Sequence, residues 1–172
     1  MFNQNNRFLP AACVIAVACL LAGAAQAQSP DSADIAAGMR LFHQKAHCQA
    51  CHGWAGDGHK MDNQMPDGAD LRASTLDRQA LILTIKCGRP GTGMPSFDKF
   101  AYNDGRCFGL KAADLKARQL TLFDTPATLA PNEVENLADF LMTKVIGKGP
   151  LDHAKCIEFW GADVELCAEY PK

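Results

Sequence analysis

Apolar side chains recur at helical spacing in three stretches of the chain. After the cap candidates Ser29 to Ser32, the residues Ile35, Met39 and Phe42 fall three or four positions apart, which predicts a first helix with one apolar face. Gly38 lies inside it, where glycine costs about 1 kcal/mol against alanine, so a close helix crossing is the expected reason for its presence. Ser74-Thr75-Leu76-Asp77 has the form of a capping box and opens a second pattern through Leu81 and Ile85, closed by Gly88. Pro131 starts a third, with Val134, Leu137, Ala138, Leu141 and Val145 on one face and Lys144, Gly147 and Lys148 at its end. No stretch alternates with the strand period at comparable strength, and no segment repeats. The expectation is an all-α fold.

The first 27 residues follow a different order. A lone basic residue, Arg7, precedes an apolar run from Phe8 to Ala24 and a small-residue triplet, Ala25-Gln26-Ala27. That order reads as a secretory signal peptide cut after Ala27, with export to the periplasm. The competing reading is an uncleaved membrane anchor, but Pro10 interrupts the run and the triplet ends it. The chain of 172 residues would be left with 145, enough for one domain. Losing Arg7 moves the net charge from −2 to −3, a sign that argues against a nucleic-acid partner.

Export changes the reading of the cysteines. Of eight, Cys13 and Cys19 leave with the signal, and six remain at 48, 51, 87, 107, 156 and 167. Cys48-Gln49-Ala50-Cys51-His52 is C-x-x-C-H, the pattern for covalent attachment of a c-type haem. Two cysteines three apart on a helical turn can reach both vinyl-derived positions on one porphyrin edge, and the histidine that follows is held beneath the iron as proximal ligand. A thioredoxin-like pair would want a preceding strand, and the segment before Cys48 reads as helix. A structural zinc site would want a second Cys or His pair at ligand spacing, and none is present.

A haem iron that only carries electrons has a sixth ligand on its other face. Met94 lies in Gly91-Thr92-Gly93-Met94-Pro95-Ser96-Phe97, a loop punctuated by Gly and Pro directly after a helix. Met61 and Met65 are also within reach of the far face. His43, His47 and His59 compete as axial ligands for a bis-His centre of lower potential, but each lies close in sequence to His52 and is expected at the surface.

These residues resemble the class I c-type cytochromes, small exported electron carriers whose mostly helical fold surrounds one haem. The resemblance spans about residues 33–148. It rests on a first helix ending Gly38-Met39-Arg40-Leu41-Phe42, on Cys48-Gln49-Ala50-Cys51-His52, on a third helix with the loop Gly93-Met94-Pro95-Ser96-Phe97, and on a last helix containing Leu137-Ala138-Asp139-Phe140-Leu141. In that family the loop after the third helix supplies the distal ligand, so the resemblance assigns His52 and Met94 to the iron. It also implies one haem c held by Cys48 and Cys51, and a crossing of first and last helices near Phe140.

Two regions depart from the smallest family members: an insertion at 98–130, before the last helix, and a tail at 149–172 beyond a cytochrome domain at 28–148. The four remaining cysteines sit in or beside them and allow three pairings. Cys87–Cys107 and Cys156–Cys167 are the expected pairs. Leu71 is expected against the haem ring and Arg72 near a propionate; Arg89 carries the same ambiguity between propionate and solvent. The functional expectation is outer-sphere electron transfer without conversion of a small-molecule substrate. The donor would be a periplasmic dehydrogenase, such as a quinoprotein alcohol dehydrogenase, or a quinol-oxidising complex, and the acceptor a cytochrome oxidase or another cytochrome. Other classes remain open: a haem sensor or peroxidase with a displaceable Met94, and a cytochrome subunit working only inside a larger dehydrogenase complex.

Overall fold

The computed structural model describes residues 30–172, so the signal expected at residues 1–27 lies outside the described residues. Among the described residues every regular element is helical, and the one extended feature is an isolated bridge between Cys107 and Leu110. No helix among them is long and apolar enough to cross a membrane.

Helix α1, Ser32–Arg40, starts where the Asp31 carboxylate accepts from the Asp34 N–H at 2.8 Å. It continues as a π-helical turn, Leu41–Lys45, that buries Leu41 and Phe42. A single turn, α2, covers Gln49–His52. Helix α3 is Arg78–Cys87, α4 is Ala112–Ala117, α5 is Pro131–Lys144, and α6 is His153–Trp160, followed by a 3-10 turn at Glu165–Glu169.

The start of α3 differs from the expected capping box. Asp77 is the cap, its carboxylate accepting from the Ala80 N–H at 2.8 Å, while the Ser74 hydroxyl accepts from Leu76 at 3.3 Å outside the helix. A charged carboxylate at the positive end of the helix is the stronger acceptor of the two. At the other end Gly88 takes φ +62, a conformation glycine adopts without steric cost, and the helix stops there as expected.

The most extensive helix pairing is α1 on α5. A Cβ at Gly38 would lie 2.0 Å from the Asn136 carbonyl oxygen and 2.6 Å from the Phe140 Cβ, so any side chain there would push the two backbones apart. The close crossing and its aromatic neighbour are both as expected. Pro131 stands at the first turn of α5, and Glu133 reaches back to accept from the Ala130 N–H at 2.8 Å.

The buried residues form two cores. The main one joins Phe42, Trp54, Leu81, Ile85, Phe97, Leu137, Phe140 and Val145 to Cys156, Phe159 and Cys167 of the tail. The smaller one, Cys87, Ala101, Tyr102, Cys107 and Leu115, lies within the insertion and the end of α3. Both expected disulfides are present, Cys87–Cys107 and Cys156–Cys167, each with its Cα atoms 5.4 Å apart.

Candidate functional site

The turn α2 is a short helix clamped on several sides by loop backbone. The Cys48 N–H donates to the Phe42 carbonyl at 2.9 Å, and the His52 N–H to the Cys48 carbonyl at 2.9 Å. Gly53, at φ +80, ends it. The chain then wraps back: Asp62 N–H donates to Ala50 O at 3.2 Å and Gly68 N–H to Cys51 O at 3.0 Å. Cys48 and Cys51 are unpaired thiols, whereas the other four cysteines among the described residues are joined in disulfides. Burial pushes the Cys48 thiol up to about 12 and the Cys51 thiol upward as well, so both stay protonated at neutral pH.

His52 is held by one directed bond. Its Nδ1 lies 2.8 Å from the Ala69 carbonyl oxygen, and since a carbonyl only accepts, Nδ1 carries the proton and Nε2 keeps its lone pair. Burial pushes the imidazole down from its ordinary value, which favours the neutral form a metal ligand needs. Gly68 makes this approach sterically feasible, because a Cβ there would lie 2.6 Å from Cys51 O and 2.8 Å from His52 Nδ1.

The loop after α3 meets the same wrapping segment. A Cβ at Gly93 would lie 2.3 Å from the Pro66 Cγ, so the backbone next to Met94 rests on the residues that lead into Gly68. The Arg89 N–H donates to Met94 O at 3.1 Å, and the Thr92 hydroxyl accepts from the Met94 N–H at 3.2 Å while donating to Arg89 O at 2.7 Å. Phe97, which follows the loop, is buried, and its N–H donates to Ile85 O at 3.2 Å. Met94 is half-buried, but Met61 is 59% exposed and Met65 36% exposed.

A protein-family model described as cytochrome C oxidase, cbb3-type, subunit III matches residues 33–106, somewhat less than half of the chain. It spans α1, the C-x-x-C-H turn, α3 and the Met94 loop. The match supports a c-type cytochrome domain. It implies covalently bound haem c, a role in electron transfer and protein redox partners. No curated protein and no solved structure matches the chain.

The other expected site residues are distributed unevenly. Leu71 is half-buried and packs against the main core, and its N–H donates to Gly56 O at 2.7 Å. Arg72 is buried, but its Nε donates to Gly149 O at 2.7 Å, which turns the side chain toward the tail. Arg89 is exposed. His47 is exposed, and His59 is exposed beside Asp57. His43 departs from the surface position expected for it. Its ring stacks on Trp160 with centroids 5.8 Å apart, and its Nδ1 is 2.6 Å from the Gln49 Oε1, inside the C-x-x-C-H turn. Trp54, Phe159, Trp160 and Tyr170 complete that aromatic cluster. The sequence marks these residues only as apolar, because the tail's contacts with Trp54 are made more than one hundred positions away along the chain.

Proposed function

We propose that this chain is an exported mono-haem electron carrier, with haem c joined to Cys48 and Cys51 and its iron held between His52 Nε2 and Met94 Sδ. The observation that carries the reading is the α2 turn itself: two thiols left unpaired while four other cysteines are oxidised, followed at once by a histidine whose Nδ1 is committed to Ala69 O. The residues fit the group. Gly68 leaves room for the Ala69 carbonyl to reach His52, and the loop bearing Met94 is anchored by Thr92, Arg89 and Pro66. When bound, the haem supplies a one-electron couple whose potential a thioether ligand raises.

The chain's own residues supply the rest. The Ala69 carbonyl fixes the His52 tautomer and raises its basicity. Buried Leu81, Ile85 and Phe97 make the surroundings of the Met94 loop apolar, which keeps water away and reorganisation small. The Cys87–Cys107 disulfide joins the end of α3 to the insertion and so limits movement of the Met94 loop between them.

The donor we favour is a periplasmic dehydrogenase, and its contact surface lies on the insertion rather than the tail. The tail's Cys156, Phe159 and Cys167 are buried in the main core, whereas Phe100, Phe108 and Phe123 of the insertion are 45%, 51% and 49% exposed. Replacing Phe100 and Phe108 by Ser should slow reduction by a quinoprotein alcohol dehydrogenase at unchanged thermal stability; an unchanged rate refutes this surface.

Absorption spectra of the purified exported protein, oxidised, reduced, and reduced under carbon monoxide, test the site. The expected result is a covalent low-spin haem whose reduced spectrum ignores carbon monoxide. Rapid carbon monoxide binding would remove Met94 from the iron and favour sensing or peroxide chemistry.

A further inference from the structure

A second feature lies at Arg72, the residue after Leu71. The end of α5, helix α6 and the loop at Arg72 border a partly open cavity of about 70 Å³ lined by Arg72, Lys144, Lys148, Lys155, Glu158 and Phe159. Four of the six side chains are cationic and one is a carboxylate. The volume admits several waters, or one small ion with its oxygens, since a single water needs roughly 10–15 Å³ on this measure.

Arg72 is the unusual member, being only 3% exposed. Its Nε is satisfied by Gly149 O at 2.7 Å, and the Gly149 N–H returns a bond to Arg72 O at 3.1 Å, so the side chain is fixed at its root. Among the described residues, its two Nη groups have no acceptor within hydrogen-bond distance, and no carboxylate comes within 4.0 Å of the guanidinium. Neither Nη group is sealed from solvent, so an oxygen acceptor that enters the pocket can reach both.

The lysines are placed to help. Lys155 Nζ donates to Pro150 O at 2.7 Å and lies 3.5 Å from the Asp152 carboxylate, and Lys144 Nζ is 3.4 Å from the Glu158 carbonyl oxygen. An ammonium has three donors, so each keeps N–H groups free, and Lys148 has no protein acceptor among the described residues. Asp57, Asp70, Asp152 and Glu158 act on Arg72 through space and offset part of the charge. They supply no hydrogen bond to the Nη groups. What the cavity lacks is oxygen acceptors in a forked arrangement, more than countercharge as such.

We propose that this cavity binds one small oxyanion of the phosphate or sulfate type, held bidentately by the two Nη groups of Arg72 and flanked by Lys144, Lys148 and Lys155. Its position, between the loop that carries Leu71, the end of α5 and the tail helix, makes the ion a non-covalent tie between tail and domain. A haem carboxylate has the same forked oxygens, and the experiment separates the two sources.

The full-length, haem-loaded protein is titrated with inorganic phosphate by calorimetry and by thermal unfolding, with ionic strength held constant by sodium chloride. One saturable site is expected, with a rise in unfolding midpoint that chloride alone does not give. Two exposed positions serve as variants because neither is part of the core. Lys148→Gln should weaken phosphate binding several-fold, and Glu158→Gln, which removes the one repelling carboxylate of the lining, should tighten it several-fold. Absence of saturable binding overturns the proposal, whether water or a haem carboxylate already fills the cavity. Binding that is unchanged in both variants overturns it as well. Neither result bears on the His52 and Met94 assignment, which the carbon monoxide spectra test separately.

Discussion

The insertion expected at 98–130 and the tail at 149–172 look alike in the sequence, one on either side of α5 and each holding disulfide-bonded cysteine, yet they are built in different ways. The insertion makes its own small core around Tyr102, Cys107 and Leu115; it joins the rest through Cys87, through the bond from the Tyr102 hydroxyl to Cys87 O at 2.7 Å, through the Gly91 N–H bond to Thr121 O at 2.8 Å, and through Leu129, which is part of the main core. The tail makes no separate core. It sends Phe159 among Trp54, Phe140 and Trp160, and closes its own short loop with Cys156–Cys167 inside the main core. An addition with its own core can vary or open without unfolding its host, whereas one that shares the host's core cannot.

The sharpest way to break this comparison is to empty each core in turn. Phe159→Ala should cost about 4 kcal/mol in denaturant unfolding, with a single cooperative transition, because the cavity opens in the main core. Leu115→Ala should cost about 2 kcal/mol and act mainly on hydrogen exchange within the insertion. Equal and global losses would mean that the two cores are one unit.

The disulfides sharpen it further. Their partners are 11 and 20 residues apart, for which chain entropy alone gives about 3 kcal/mol in either case. The difference should lie in what else changes. Cys156→Ser with Cys167→Ser should lower the unfolding midpoint and leave the reduced spectrum blind to carbon monoxide. Cys87→Ser with Cys107→Ser should free the Met94 loop, read as carbon monoxide binding and a lower midpoint potential. An unchanged spectrum in the second variant would dissociate that staple from the Met94 loop.

Gly38→Ala tests the host that the tail joins. The added methyl would meet backbone as well as side chain at the α1–α5 crossing, and a loss of about 2 kcal/mol is expected in thermal or denaturant unfolding. The smallest effect belongs to the surface pair Lys45–Glu133, at 2.6 Å. Glu133→Gln should cost only about 0.5 kcal/mol. Lys45, with help from the Ala130 N–H, holds the Glu133 carboxyl below its ordinary range. That contribution is therefore complete above the carboxyl's unfolded value and fades as pH falls through the lowered folded one, a slope that the variant should lack.

Much of this was legible in the sequence because short-range stereochemistry decides it. Pro131 and Gly88 mark helix ends by what their backbones can and cannot do. Gly38 announced a close approach, and the spacing of C-x-x-C-H put two thiols and an imidazole on one turn before any fold was in view. Even there, competition between neighbours mattered: Asp77 took the cap of α3 from Ser74, since its charged carboxylate is the stronger acceptor at the positive end of the helix.

The tertiary structure decided what packs on what. The sequence alone left His43 on the surface, and a tail tryptophan 117 positions away buried its ring. The carbonyl of Gly149, 77 positions along the chain, fixes the Arg72 guanidinium at its root. Residues 149–172 lie beyond the stretch that carries the family resemblance, and they complete the main core. Each of these rests on contacts between residues far apart in the chain, whose partners are chosen by shape and by the burial of whole aromatic faces, and neither leaves a period or a spacing in the sequence.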